Sequence, residues 1–251
     1  MHVAAAVVAT LLAAALVAVQ PFAGRRRYRR LLEAVLTDPD ARLHHYRRGI
    51  AGEWIAAGLV ALIGLAGGRH GVKFGLPGGH KGRVAVNTMA EVGVVLALSA
   101  GVFRFGGARV IDALRRQARG FLALLPRCRR EKLTFVVLAI TAGICEEVVF
   151  RGFGIAYVRW LHPSTPNAVV VVVTAAVFGL GHLYQGARGV LLTGLIGVYL
   201  GWLTVSSGSL LPAMAIHALL DLRILALPDL GAAPVPPAGA TPLVPGPRAP
   251  A

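Results

Sequence analysis

The sequence predicts an all-α fold: a polytopic bundle of about seven transmembrane helices with polar residues gathered in the membrane interior. Three observations carry this. Hydrophobic residues make up 56% of the chain and charged residues only 15%, where a soluble domain carries about a quarter charged residues; the mean hydropathy is +0.67. The apolar residues arrive in long runs separated by basic clusters, and a helix needs roughly 20 mostly apolar residues to cross a bilayer. Ionisable residues interrupt the later runs, where each costs at least ~2.5–3.5 kcal/mol on insertion scales and persists mainly when paired or acting.

The first run, Val3–Gly24, has no charge and is followed by Arg25, Arg26, Arg27, Arg29 and Arg30. A cleaved signal peptide carries its positive charge ahead of the apolar region. The run is therefore read as a retained helix with its N-terminus outside, and the small residues near Ala23 leave a signal peptide as the lesser alternative. Leu31–Arg48 follows as an interfacial cytoplasmic segment, then a second span at about Gly49–Gly67. The loop Arg69–Arg83 is expected outside although it holds four basic residues, and a third span covers about Val84–Phe103 with Glu91 inside it. Arg104–Lys132 is cytoplasmic, with Val110–Leu124 patterned as an amphipathic helix lying on the headgroups. The fourth and fifth spans are expected at about Leu133–Val158 and Ala168–Gln185. Gly189–Leu220 has no charge at all and is too long for one crossing; Ser206-Ser207-Gly208-Ser209 and Pro212 supply a turn, giving spans at about Gly189–Val205 and Leu210–Leu227. The Pro- and Ala-rich tail after Pro228 is expected to be disordered and cytoplasmic. The chain thus divides into an N-terminal membrane region (1–132), a four-helix core carrying the polar clusters (133–227) and a tail (228–251).

A net charge of +15 invites a nucleic-acid partner, but its placement points elsewhere. Seventeen of the 26 Lys and Arg residues fall in Gly24–Arg48 and Arg104–Lys132, each flanked by apolar runs. Basic residues beside spans mark the cytoplasmic side and hold against anionic lipid headgroups. No basic–aromatic motif of an RNA-binding type is present, so no nucleic-acid partner is expected. Cys128 and Cys145 form neither a disulfide framework nor a metal-ligand spacing.

Helical spacing sorts the intramembrane polar residues. Glu147 and Arg151 stand four apart with the acid first, the better order for an intrahelical ion pair. Glu146, rotated about 100° away, has no local partner and is the candidate general base. His217 and Asp221 are also four apart, so that the acid can accept a ring N–H and fix the imidazole tautomer. His182 comes from another helix, with Gly179 and Gly181 allowing close backbone approach. Plainer readings exist: a structural ion pair for Glu147–Arg151, an interfacial histidine for His182, a polar helix-end pair for His217–Asp221, and packing for Phe178. Glu146 has no such cheap excuse in mid-span, and it lifts the others. Glu53, Glu91, His2, His44, His45, His70, His80 and His162 are read as solvated or interfacial. Assembled, the clusters suit hydrolysis: Glu146 takes a proton from water, His182 helps hold that water, and His217 with Asp221 faces the developing oxyanion.

The order Glu146-Glu147-x-x-x-Arg151, Phe178-x-x-x-His182 and His217-x-x-x-Asp221 on successive helices resembles the CPBP family, which includes type II CAAX prenyl endopeptidases and bacterial Abi-domain proteins. The resemblance covers about Leu133–Leu227. It implies endopeptidase cleavage inside the cell membrane, typically removal of a C-terminal tripeptide from a prenylated protein. It implies that Glu146 and His182 activate water and that His217 and Asp221 stabilise the oxyanion. The third motif often ends in Asn, so Asp221 brings a charge to that place unless it is protonated or turned onto His217. The expected partner is a membrane protein or lipidated peptide substrate. No cofactor is expected, with zinc on Glu146, His182 and His217 as the lesser alternative. H-E-x-x-H and G-x-G-D motifs are missing. A non-catalytic immunity or scaffold protein is the runner-up, and a proton-relay transporter ranks below it.

Overall fold

The computed structural model describes residues 3–66, 88–97, 101, 105 and 119–226, and every element among them is helical. Helix α1 (Val3–Ala18) is bent by 49° from α2 (Gln20–Ala34). Pro21 sits in the first turn of α2, where its missing N–H costs nothing but where the previous helix cannot continue straight. The segment Leu31–Arg48 is built from the end of α2, a turn, and the start of α3 (Ala41–Ala66). α3 begins eight residues earlier than the second span was expected to, because its first turns bury polar groups with partners. Arg42 Nε donates to the Ala123 carbonyl at 2.9 Å and its guanidinium lies 3.7 Å from Glu131. Tyr46 Oη donates to the Leu124 carbonyl at 2.6 Å.

Of the third expected span only the helix α4 (Thr88–Ala97) is described. The Arg69–Arg83 loop and the tail from 228 lie outside the described residues, as does most of Val110–Leu124. The described end of that last segment, Arg119–Leu124, is a 3₁₀ turn rather than an α-helix, kinked at Phe121, with Ala123 fully buried.

The core begins with α5 (Arg129–Glu146), which continues through a π-helical turn, Glu147–Phe153, into α6 (Gly154–Leu161). α7 (Asn167–Gly181) follows, then a 3₁₀ turn Leu183–Gln185, α8 (Gly186–Ser207) and α9 (Leu211–Leu222). The turn expected between the last two spans is present: Gly208 ends α8 at φ 67°, and Ser209 Oγ accepts the Leu211 N–H.

Three stretches are long and apolar enough to cross a membrane, Ala41–Ala66, Arg129–Leu161 and Leu183–Ser207; the bent α1–α2 pair would make a fourth. α7 and α9, with 15 and 12 residues, extend about 22 and 18 Å at 1.5 Å per residue, less than the ~30 Å hydrocarbon layer. The bundle is turned inside out relative to a soluble one. Leu62, Leu65, Val137, Leu191, Leu195 and Trp202 are exposed, while Glu147, Arg151 and His217 are buried. A helical bundle with apolar flanks and a charged interior is a membrane protein.

Close approaches set the register. α3 and α5 run parallel: Tyr46 meets the Phe135 ring edge-on at 5.8 Å, Gly49 lies against Leu138, and Val60 and Ile63 share a cluster with Val149 and Phe153. α5 and α9 touch where a Cβ on Gly143 would fall 2.7 Å from Ala218. α7 and α8 nest through Gly179, where a Cβ would lie 2.8 Å from the Val190 carbonyl.

Candidate active site

The three polar clusters lie on α5 with its π turn, on α7 and on α9, and the bundle brings them together. The carboxylate of Glu147 is the hub. Its Oε1 accepts from Arg151 Nη1 at 2.8 Å and from His217 Nδ1 at 2.7 Å, and the Glu147 and Arg151 side chains are fully buried. Arg151 Nη2 also donates to the Gly197 carbonyl of α8 at 3.2 Å, and its Cζ stands 4.2 Å from the centre of the Phe178 ring. A single π turn thus ties α8, α7 and α9 to one carboxylate. π turns of this kind recur at functional sites, because the extra residue redirects the side chains on either side.

His217 sits between two glutamates. Its Nδ1 faces Glu147, while its Nε2 lies 3.9 Å from Glu146 Oε2 and 3.9 Å from Asp221 Oδ2. Here the structure departs from the spacing argument. The ring N–H is taken by Glu147, seventy residues away in sequence, and not by Asp221 one turn along α9. Asp221 lies beyond hydrogen-bond distance of the ring and is 38% exposed at its side chain. The expected separation of Glu146 from Glu147 also changes character, since both reach the same imidazole from opposite sides.

His182 ends α7, and its Nδ1 donates to the Phe178 carbonyl at 2.9 Å. A carbonyl can only accept, so the proton is on Nδ1 and Nε2 is left as a free acceptor. Phe178 is more than packing: its ring centre lies 4.9 Å from that of His182 and 5.6 Å from that of His217, forming the wall between them. One oxygen of Glu146, Oε2, is buried with no hydrogen-bond partner in the protein. A carboxylate oxygen left so, 3.9 Å from the Nε2 of His217, is suited to taking a proton from a bound water. Among the described residues, no group of three His, Cys, Asp or Glu side chains is arranged to hold a metal ion.

Residues 130–223 match the family model described as type II CAAX prenyl endopeptidase Rce1-like. That stretch is similar to a CAAX-protease domain. No curated protein and no solved structure gives a significant match to the chain. The matched stretch runs from the first turn of α5 to the end of α9, and it contains all three motifs. The similarity to CAAX-type intramembrane proteases is confined to this stretch.

Three residues outside the motifs also belong to this neighbourhood. Tyr184 stacks obliquely on His182 at 5.8 Å and on Tyr28 of α2 at 5.4 Å, and its hydroxyl accepts from Gln185 Nε2 at 3.2 Å. Gln20, at the α1–α2 bend, lays its amide against Gly181, the residue before His182. Glu53, read from the sequence as solvated or interfacial, is half-buried on α3 and lies within electrostatic reach of Glu146, His217 and Asp221. Its signal was present in the sequence: Tyr46, Gly49, Glu53, Ala57 and Val60 fall on one helical stripe.

Proposed function

We propose that this protein is an endopeptidase that cleaves membrane-associated substrates, prenylated CAAX-type proteins among them, using a water activated by Glu146. The observation that carries the reading is the buried, unpartnered Oε2 of Glu146 facing His217, whose other nitrogen is already held by Glu147. In this reaction the water proton passes to Glu146 as its oxygen attacks the scissile carbonyl carbon. His182 Nε2 accepts the other water O–H and orients the nucleophile. His217, protonated on Nε2 while Nδ1–H remains on Glu147, donates to the carbonyl oxygen as it becomes negative. Glu146 then returns the proton to the departing amine as the C–N bond breaks. Glu147 and Arg151 position the imidazole and do not touch the reacting atoms. Asp221 adds a charge at the mouth of this space, and its share in oxyanion binding needs the protonated form.

The same reading places the site at membrane depth, between about seven apolar segments of which α7 and α9 reach only part of the way across. The N-terminus is outside and the C-terminus in the cytoplasm. The basic residues of α2 and of the start of α5 lie on the cell-membrane headgroups; Arg25, Arg26, Arg29, Arg30, Arg129 and Lys132 are exposed, as that role requires.

The test compares membrane fractions of cells carrying the wild-type chain or Glu146→Gln, with peptides identified by mass spectrometry. The expected outcome is a set of trimmed products that disappears in the variant, a loss on the order of 10²–10⁴-fold in rate. Products that persist in Glu146→Gln would favour the scaffold reading. Products abolished by chelators and restored by zinc would favour the metal one.

A further inference from the structure

α3 lies wholly outside the matched residues 130–223, yet it packs along α5 in parallel. Tyr46 meets Phe135, Gly49 meets Leu138, and Val60 joins Val149. In each pair the offset is 89 residues, so the register carries position 53 to the level of Ala142, one turn before Glu146. Glu53 stands on that same face. Gly49 and Ala57, one turn to either side of it, are both turned inward, and Ala57 and Val60 are buried.

We infer that Glu53 is a positioning residue of the active site, a carboxylate supplied by the N-terminal region that sets the charge around Glu146 and His217. This rests on the endopeptidase reading above. The charged and titratable groups within electrostatic reach of Glu53 agree with the register: Cys145, Glu146, His217 and Asp221 from the matched stretch, and Arg27 from α2. A negative charge on this side of the pocket opposes the charge already on Glu146 and favours transfer of the water proton to it. It also favours the cationic imidazole that binds the oxyanion. Neither effect requires Glu53 to touch substrate, and neither depends on the exact length of its side chain. Both depend on its charge. The N-terminal helices accordingly do more than anchor the matched stretch in the lipid.

Charge and shape can be separated at this position. Gln has the shape of Glu without the charge, and Asp has the charge without the length. The Glu146-dependent products found in wild-type membranes are quantified in cells expressing Glu53→Gln or Glu53→Asp in the full chain, at matched levels of membrane-inserted protein. The expected result is a fall of about tenfold in product formation for Glu53→Gln and less than about threefold for Glu53→Asp, as a role through charge rather than shape dictates. A packing role gives the opposite order, with Gln tolerated and Asp damaging, and overturns the inference. Wild-type rates in both variants overturn it too, while Glu146→Gln remains inactive and the endopeptidase reading stands. If no product depends on Glu146, that reading fails first and the inference falls with it.

Discussion

At the scale of single residues, the arrangement around His217 decides which acid matters for which task. Spacing along α9 suggested that Asp221 would hold the imidazole, as four residues separate them. Tertiary structure gives that task to Glu147, which accepts the ring N–H at 2.7 Å while Asp221 stays 3.9 Å from the other nitrogen. The physical reason is that Glu147 is anchored independently of the histidine: Arg151 fixes its Oε1, and Phe178 and the Gly197 carbonyl fix Arg151. Two substitutions should therefore differ sharply. Glu147→Gln removes the anionic acceptor shared by His217 and Arg151 and strands a buried guanidinium, so activity should fall at least ~10²-fold and the folded protein should lose roughly 3–5 kcal/mol. Asp221→Asn leaves the ring held from Nδ1 and should keep activity within about tenfold of wild type. Product formation and thermal unfolding in detergent measure both, and equal damage from the two variants would contradict the geometry.

At the scale of elements, the helices and the order of the three motifs were legible in the sequence because apolar runs and four-residue spacings are local properties. The turn at Gly208 was legible for the same reason. What was not legible arises between elements. The π turn at Glu147–Phe153 follows from packing on three neighbours, and nothing in Glu147-Val148-Val149-Phe150-Arg151 distinguishes it from an ordinary α-helical stretch. The pairing of Glu147 with His217 joins positions far apart in the chain, and the burial of Glu53 depends on which face α3 turns to α5. The Gly143–Ala218 contact is another such property, and it can be tested directly. A methyl group on Gly143 has only 2.7 Å to Ala218, so Gly143→Ala should cost about 1–3 kcal/mol and push α9 away from α5. Because His217 precedes Ala218, cleavage should fall along with stability. Adding Ala218→Gly restores room and should recover much of both, and a double variant no better than the single one would show that this contact does not set the spacing.

At the scale of the whole molecule, the described residues combine a charged interior with an apolar exterior. The helices that present His182 and His217 are short, at 15 and 12 residues. A helix shorter than the hydrocarbon layer is accommodated by thinning of the bilayer beside it, and such thinning is the expectation for the flank of α7 and α9. A peptide approaching from that flank crosses less hydrocarbon before it meets water, and its backbone is unpaired over a shorter distance. In vesicles of matched headgroup composition, cleavage should accordingly be faster with short acyl chains than with long ones, the thickness of the surrounding lipid acting as a rheostat on an enzyme whose chemistry is unchanged.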